Sequence, residues 1–229
     1  MKSLRAFVGL GVLVAGGVSG ATDRDPLEFP PPKSPQESLA VMQTKPGLQI
    51  ELVAAEPLIV DPVAIDWGAD GKLWVVEMRD YPMGMDGNYK PGSRIKFLES
   101  TKGDGNYDKA TVFLDNLPFV TGVTAWRNGA LICAAPDILY AEDTDGDGKA
   151  DMVKKLFTGF DTGNYQARVN SLGLGLDNWI YGANGLRGGT IRGESRGLEA
   201  VAGKDRKRPV RCRVRRRTAI WSGRFPVCR

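Results

Sequence analysis

The chain has no histidine among its 229 residues. Histidine is the side chain whose charge changes near neutral pH, and it is both a frequent general base and a frequent metal ligand. Its absence excludes histidine-based proton transfer, histidine metal ligation and histidine-ligated haem within this chain. The sequence alone identifies no catalytic residue.

Cysteine is scarce, with Cys133, Cys212 and Cys228 as the three copies. An odd number gives no pairwise disulfide framework, and no CxxC or CxxCH spacing occurs, so no haem-attachment motif is present. Cys133 lies in the apolar run Leu131–Ala134 and is predicted to be buried as a small hydrophobe.

The apolar stretch at the N-terminus, Ala6–Val18, is too short for a comfortable membrane span. Lys2 and Arg5 precede it, and Ser19–Ala21 supplies small residues for cleavage. Met1–Ala21 is therefore predicted to be a signal peptide that directs export to the periplasm or the outside of the cell. The alternative is an uncleaved amphipathic start. No transmembrane span is expected in the mature chain.

Positive charge is concentrated at one end. Residues 204–229 hold eleven basic residues and one acidic residue, which leaves 20 basic and 26 acidic residues elsewhere. This segment cannot bury an apolar face, so Lys204–Arg229 is predicted to be disordered. One interpretation is an out-of-frame sequence, which reading the coding DNA in the other frames would test. The other is a basic tail that binds anions, although nucleic acid is a poor partner for an exported protein.

Two segments repeat one design 43 residues apart, Ile95–Leu114 and Ile138–Phe157. Each places two apolar segments around an acidic, glycine-rich turn, and the alignment superposes Asp108 on Asp151. A period in the low forties made of short strands indicates one β-propeller blade per repeat.

A second kind of hairpin alternates with these, in which two strands flank an Asp-Gly, Asn-Gly or Asp-Asn turn. The three copies are Val63–Glu77, Gly122–Ala134 and Val169–Ala183. With four strands per unit, we predict an all-β fold: a partial, six-bladed-type β-propeller of about three blades over residues 47–203. The insert Arg79–Pro91 enlarges the first unit.

A proline-rich linker is predicted over residues 22–46, with a helical turn from Pro35 to Met42. Apolar and polar residues then alternate over Leu48–Val53, which predicts a half-buried strand.

The acidic loop of the second repeat has the pattern of a calcium loop. Asp143, Asp145 and Asp147 take positions 1, 3 and 5, with a glycine at position 6 and Asp151 at position 9. We predict a Ca²⁺ site formed by these four carboxylates and the Lys149 carbonyl; the alternative is a solvated turn. Position 12 is a lysine instead of the EF-hand glutamate. The matching loop of the first repeat, the sister loop 100–108, has serine and lysine at positions 1 and 3, which predicts a turn there.

Polar residues also flank the predicted inner strands, where propellers place ligand groups. Their donors suit an anionic quinone or a sugar hydroxyl, and the alternative is a role in salt bridges and turn caps. These candidate cofactor-binding residues are Arg79, Asp80, Arg168, Asn170 and Asn184. The tryptophans that recur in the hairpins are predicted to be core residues: Trp67, Trp74, Trp126 and Trp179.

Several segments together resemble one family of large secreted bacterial proteins, named membrane-bound dehydrogenases or PVC-type haem-binding proteins. The segments are Leu52–Pro57, Leu73–Pro82, Ala135–Ile138, Glu142–Asp151 and Gly175–Gly182. The N-terminal part of that family is similar to the six-bladed propeller of soluble quinoprotein glucose and sorbosone dehydrogenases.

The resemblance implies an ancestral oxidation of sugars or polyols with pyrroloquinoline quinone, and it places the haem outside this chain. Where relatives usually carry a histidine just before the arginine, this chain has Ala167 before Arg168. The best candidate base is therefore missing.

Two functions are expected. The first is that of an N-terminal fragment of a secreted dehydrogenase-like propeller, not catalytically competent alone. The second is that of a non-catalytic exported module that binds carbohydrate or protein and has calcium-stiffened hairpins. Open sheet edges also predict self-association.

Overall fold

A computed structural model describes residues 30–176 and 180–193, and the backbone of residues 220–223. The chain divides into two compact units, Met1–Val41 and Met42–Arg229. The predicted signal peptide lies outside the described residues. None of the helices in the described part has the length and apolar character needed to cross a membrane.

The described residues of the first unit contain the helix α1, Pro35–Val41. The Ser34 hydroxyl accepts a hydrogen bond from the Glu37 N–H (3.2 Å), and the Ser34 N–H donates to the Glu37 carboxylate (2.8 Å). This reciprocal arrangement is a capping box, and a proline is well tolerated at the first helical position that follows it. The helical turn predicted from Pro35 is confirmed.

The described part of the second unit consists mainly of antiparallel strands, so the all-β prediction is confirmed. The strands are β1 Pro62–Trp67, β2 Leu73–Glu77, β3 Ser93–Glu99, β4 Lys109–Leu117, β5 Gly122–Trp126, β6 Gly129–Ala134, β7 Asp137–Glu142, β8 Met152–Phe160, β9 Asn170–Leu174, β10 Ile180–Ala183, β11 Gly189–Gly193 and β12 Ile220–Gly223.

The strands form three sheets. Sheet 1 has the order β1-β2-β3-β4, sheet 2 the order β11-β8-β7-β6-β5, and sheet 3 the order β12-β10-β9. The predicted hairpins β1/β2 and β5/β6 are confirmed, as are the acidic-loop hairpins β3/β4 and β7/β8. The pairing of β9 with β10 is confirmed as well, while residues 177–179 of the turn between them lie outside the described residues. The strand β11 joins sheet 2 instead of continuing the third unit.

Central strands carry the most continuous apolar runs because both of their faces are covered. All residues of β2 and all residues of β6 are buried. The turn between β1 and β2 places Gly71 at a φ of 80°, a conformation that glycine adopts without a steric penalty.

Sheets 1 and 2 share one apolar core. Trp74 of β2 packs against Phe113 and Phe97, with ring centroids 4.8 and 5.4 Å apart. Small and branched residues of sheet 2 complete this core: Val123, Ala130, Ile132, Ala134 and Ala141. The strand β5, at one edge of sheet 2, contacts both β1 and β9.

The other face of sheet 2 packs against sheet 3. Leu131 and Tyr140 cluster with Ile180, while Cys133 and Ile138 cluster with Val169. Cys133 is fully buried, as predicted, and burial raises the pKa of its thiol to about 12.

Some sequence predictions are wrong in detail. Residues 48–53 do not form a strand, and their apolar side chains are exposed, because no strand among the described residues pairs with them. Of the tryptophans predicted to be core, Trp74 is buried, Trp126 is half-buried and Trp67 is exposed, while Trp179 lies outside the described residues. The strand β12 occurs within the tail predicted to be disordered, most of which lies outside the described residues.

Candidate functional site

Four loops meet at one end of the sheets, which we call the loop end. They are the β2–β3 loop with the insert, the β4–β5 loop, the β8–β9 loop and the β10–β11 loop. The Phe119 N–H donates to Asp80, which links the first two loops, and the Leu186 N–H donates to the Ala167 carbonyl, which links the last two. Arg168 lies over the Phe119 ring and joins the two pairs.

Asp80 holds the loop end together. It is fully buried, and its carboxylate accepts hydrogen bonds from the Phe119 N–H (2.8 Å), the Gly92 N–H (3.2 Å) and the Ser93 hydroxyl. The Ser93 hydroxyl in turn accepts from the Val120 N–H (3.1 Å). A carboxylate with these partners organises the surrounding loops and has little capacity left for a ligand.

Arg168 is a buried cation with a free donor. Its side chain is 5% exposed, and its Nη2 donates to the Thr162 carbonyl oxygen at 2.6 Å. The guanidinium carbon lies 4.3 Å from the Tyr165 ring centroid and 5.1 Å from that of Phe119. Burial lowers the pKa of Arg168, and Tyr165 and Asp80 oppose that shift. The Nε atom is buried without a hydrogen-bond partner among the described residues.

Asn184 is the most unusual polar residue of the loop end. It is 4% exposed, and neither its Oδ1 nor its Nδ2 has a hydrogen-bond partner in the described part of the chain. Gly185 follows it at a φ of 78°, and a Cβ there would lie 2.2 Å from the Ala167 carbonyl oxygen. This close approach brings the Asn184 segment against the backbone of Arg168.

The remaining two predicted residues are less buried. Asn170 lies opposite Ala183 in the β9–β10 pair, and therefore next to the Asn184 segment. Arg79 is half-buried beside Asp80. The structure thus brings Arg168, Asn170 and Asn184 to the loop end, and Asp80 holds the backbone of Phe119, over whose ring Arg168 lies.

An aromatic stack that the sequence did not reveal lines the same end. Tyr165 stacks on Tyr89, with centroids 5.9 Å apart and 19° between the planes, and it also contacts Phe119 at 4.4 Å. The Tyr81 hydroxyl accepts a hydrogen bond from the Gln166 side chain at 2.9 Å. Tyr89 and Tyr81 remain half exposed, so the stack presents aromatic faces to solvent.

The acidic loop lies at the opposite end of sheet 2, because consecutive antiparallel strands reverse direction at every turn. Carboxylate oxygens of Asp143, Asp145 and Asp151 lie within 4.8 Å of one another. Asp143 accepts hydrogen bonds from the Gly148 N–H (2.9 Å) and the Gly146 N–H (2.7 Å), and these bonds lower its pKa. Three of the four predicted carboxylates therefore converge.

Asp147 stands apart from this cluster. Its carboxylate accepts a hydrogen bond from the Lys149 N–H at 2.8 Å. A cavity of about 850 Å³ opens beside the loop, between residues of sheets 1 and 2, and Trp74 and Asp143 are among its lining residues.

The sister loop has the same framework without the carboxylate cluster. The Thr101 N–H and hydroxyl donate to Asp108 at 2.9 and 2.8 Å, and the Thr144 N–H and hydroxyl donate to Asp151 at 3.2 and 2.7 Å. The alignment of the two repeats is therefore confirmed at the level of individual hydrogen bonds. Lys102 of the sister loop lies 3.8 Å from the Asp108 carboxylate.

Comparisons with known proteins complete this description. Neither the curated proteins nor the solved structures contain a match to the chain. The model of a family described as a domain of unknown function, DUF7133, matches residues 34–224, a range that includes α1, every strand named above, the loop end and the acidic loop. Because this match covers well over half of the sequence, the chain belongs to the DUF7133 family.

Proposed function

We propose that the chain is an exported binding module of the β-propeller type that holds a small polyhydroxylated or anionic molecule at the loop end. The observation that carries this proposal is Asn184, with both amide atoms buried and unpartnered. Leaving a buried polar group unsatisfied costs about 1–3 kcal/mol. A ligand that forms hydrogen bonds with Asn184 and with the free Nε of Arg168 would remove this destabilisation, and the free energy gained would favour binding.

The propeller arrangement is part of the proposal, and three observations support it. The sheets follow one another along the chain, their first strands β1, β5 and β9 contact in series, and the acidic hairpins repeat. Radial stacking of about three blades has these features, and propellers bind ligands near the axis where such loops meet.

The donors and acceptors at the loop end favour a sugar or a polyol. A hydroxyl group donates and accepts, as the Asn184 amide does, and Arg168 adds a charged donor for a carboxylate or a polarised oxygen. The exposed rings of Tyr89 and Tyr81 provide amphipathic contact area beside these groups.

Arg168 Nε and Asn184 Nδ2 are donors of the kind that would pair with a quinone carrying carboxylates, which is the cofactor implied by the family resemblance. When bound, such a quinone would supply the oxidising equivalent for an alcohol substrate. Among the described residues of the loop end, no base is free beside it, because Asp80 is occupied by backbone and hydroxyl donors and Ala167 precedes Arg168. We therefore propose binding without oxidation by this chain alone.

Replacement of Asn184 by leucine tests the site. We expect Asn184→Leu to raise the free energy of unfolding of the ligand-free protein by about 1–3 kcal/mol, because an unsatisfied amide is replaced by an apolar group of similar size. We expect the same change to weaken ligand binding at least about tenfold, which corresponds to about 1.4 kcal/mol. Urea denaturation measures the first quantity, and titration calorimetry measures the second.

Glucose, sorbitol, gluconate and pyrroloquinoline quinone are the probes for this titration. Asn106→Leu, in the exposed sister loop, is the matched control and should leave binding unchanged. Failure of all four probes to bind the unmodified chain would refute the proposal. Quinone-dependent dye reduction with glucose or sorbitol would instead establish catalysis by the chain.

Calcium binding by the acidic loop is a second candidate function, favoured by the convergence of Asp143, Asp145 and Asp151. Hard oxygen ligands at this spacing suit Ca²⁺. We propose that the ion stiffens the β7–β8 hairpin. At free calcium about 100-fold above Kd, the folded state gains about 2.7 kcal/mol.

The two loops provide a matched pair of variants. In each loop, the aspartate accepts a hydrogen bond from a threonine seven residues earlier, and Asp151→Asn and Asp108→Asn alter that aspartate in the same way. Only Asp151 belongs to the carboxylate cluster. We expect the calcium-dependent rise in Tm to be lost in Asp151→Asn and kept in Asp108→Asn, as measured by calorimetry with calcium or with chelator. Equal responses of the two variants would contradict a site in the acidic loop.

A further inference from the structure

The first strand of sheet 1 has an apolar face that the described residues leave about half exposed. Val63 and Ile65 are each 50% exposed and Trp67 is 56% exposed, and they alternate along β1. We call these three residues the β1 stripe. The intervening residues Ala64 and Asp66 face sheet 2, where Asp66 accepts a hydrogen bond from the Ala125 N–H at 2.8 Å.

The rest of this face of sheet 1 is covered. Leu73, Val75 and Leu98 pack beneath Leu58 and Ile59, and the buried Glu77 accepts a hydrogen bond from the Val60 N–H. The covering segment stops short of β1. The indole N–H of Trp67 donates to the Tyr107 hydroxyl at 3.1 Å, which holds the ring in place at the end of the stripe.

Inside the chain, the equivalent faces of the following sheets are covered by another sheet. The packing of sheet 1 on sheet 2 places large side chains such as Trp74 and Phe113 against small ones such as Ala130 and Ala141. Sheet 2 then packs on sheet 3 in series, through β5 and β9. Among the described residues, two unlike faces of this series are left without a covering sheet, the β1 stripe and the outward face of β9.

The outward face of β9 is complementary to the stripe. Ser171 and Gly173 are exposed there, on the opposite side of the strand from Leu172, which packs on sheet 2. A Cβ built on Gly173 meets no atom within 4 Å. On this side of sheet 3, Gly173 therefore leaves open space next to Tyr181, which lies opposite it in the β9–β10 pair.

We propose that the β1 stripe docks on the β9 face of a second copy of this chain. The contact continues the series of sheet-on-sheet interfaces that the chain already contains, and it places a row of apolar side chains against the space that Gly173 leaves beside Tyr181. Because the two surfaces differ, the interface is heterologous. If each of two copies docks its β1 stripe on the β9 face of the other, the two form a closed dimer. If the stripe of each copy docks on the β9 face of a different copy, an open chain of molecules results.

Two single variants test this contact on the full chain. Ile65→Arg places a charge in the stripe, and Gly173→Arg fills the space beside Tyr181. Each residue is exposed, so each variant should keep the fold, which circular dichroism and Tm verify. In sedimentation velocity, we expect the unmodified chain to associate at about 100 µM, a concentration that detects dissociation constants between the micromolar and millimolar range. Each variant should be at least tenfold weaker in self-association. Val153→Arg, an exposed position on β8, is the control and should associate as the unmodified chain does.

Mixing the two variants gives the decisive measurement. Ile65→Arg retains an intact β9 face and Gly173→Arg retains an intact β1 stripe, so the mixture should form a one-to-one heterodimer that neither variant forms alone. A monomeric unmodified chain at 100 µM overturns the proposal. Association that persists in both variants, or a mixture that fails to associate, overturns it as well.

Discussion

Glu77→Gln should lower the free energy of unfolding by about 3–5 kcal/mol, the cost of breaking a buried ion pair from one side. Glu77 is fully buried, and its carboxylate contacts Lys96 Nζ at 2.8 Å, the Val60 N–H at 2.8 Å and Arg94 Nε. Lys96 is itself buried and also donates to the Leu58 carbonyl. Glutamine leaves that lysine without its counter-charge and loosens the segment that covers sheet 1.

The matched control for this change is Glu99→Gln. Glu99 pairs with Lys109 at 2.7 Å, but the pair lies at the surface, where such a contact contributes about 0–1 kcal/mol. Urea denaturation followed by tryptophan fluorescence measures both variants. Equal losses in the two variants would show that burial does not set the strength of the Glu77 cluster.

The stabilising effect of Glu77 depends on pH in a defined direction. Burial raises the pKa of Glu77, but the hydrogen bonds from Lys96, Arg94 and the Val60 N–H outweigh it, and the pKa lies below its usual value. The contribution of the carboxylate is therefore complete above the unfolded-state pKa of about 4.3 and is lost as the pH falls through the lower folded-state pKa. The stability difference between the unmodified chain and Glu77→Gln should shrink over that acid range.

Trp74→Ala should lower the free energy of unfolding by about 3–5 kcal/mol, the usual cost of removing a large aromatic side chain from a core. Trp74 is buried between Phe97, Phe113 and the facing residues of sheet 2. Alanine leaves a cavity at the junction of the two sheets. Urea denaturation measures the loss, with far-UV circular dichroism as the signal because the substitution removes a fluorophore.

Trp67→Ala is the control for Trp74→Ala. Trp67 lies on the exposed side of β1, and its main polar contact is the hydrogen bond to Tyr107, so its removal should cost about 1 kcal/mol. The denaturation profile carries further information. A single transition with an unchanged slope indicates that sheets 1 and 2 unfold together, whereas a split transition in Trp74→Ala would contradict a shared core.

Local chemistry explains why the hairpins were predictable. The turns depend on short-range backbone geometry, as at Gly71, and the acidic loop closes through hydrogen bonds within nine residues, as from Gly148 to Asp143. The equivalence of Asp108 and Asp151 likewise follows from a hydrogen bond to a threonine seven residues away. Such interactions are contained in a short stretch of sequence, so the repeat was sufficient to locate them.

Long-range partners explain the errors. The alternation in Leu48–Val53 is compatible with a strand, but a strand also needs a neighbour to hydrogen-bond with, and none of the described residues supplies one. Trp67 and Trp74 occupy similar places in one hairpin, yet only Trp74 faces sheet 2. When both faces of a strand carry apolar side chains, only the packing of another sheet decides which face is buried.

By itself, the amino-acid sequence determined the all-β class, the paired hairpins and the acidic loop, because each results from contacts between near neighbours in the chain; of the four carboxylates predicted to converge in that loop, three do. Only the tertiary structure decided that Asp80 is a support, that Asn184 is buried without partners and that Tyr89, Phe119 and Tyr165 form one stack. Those features join residues that are far apart in the chain, such as Tyr89 and Tyr165. Burial and the availability of a donor or acceptor depend on which distant segments pack around a residue, and that is settled only when the sheets come together.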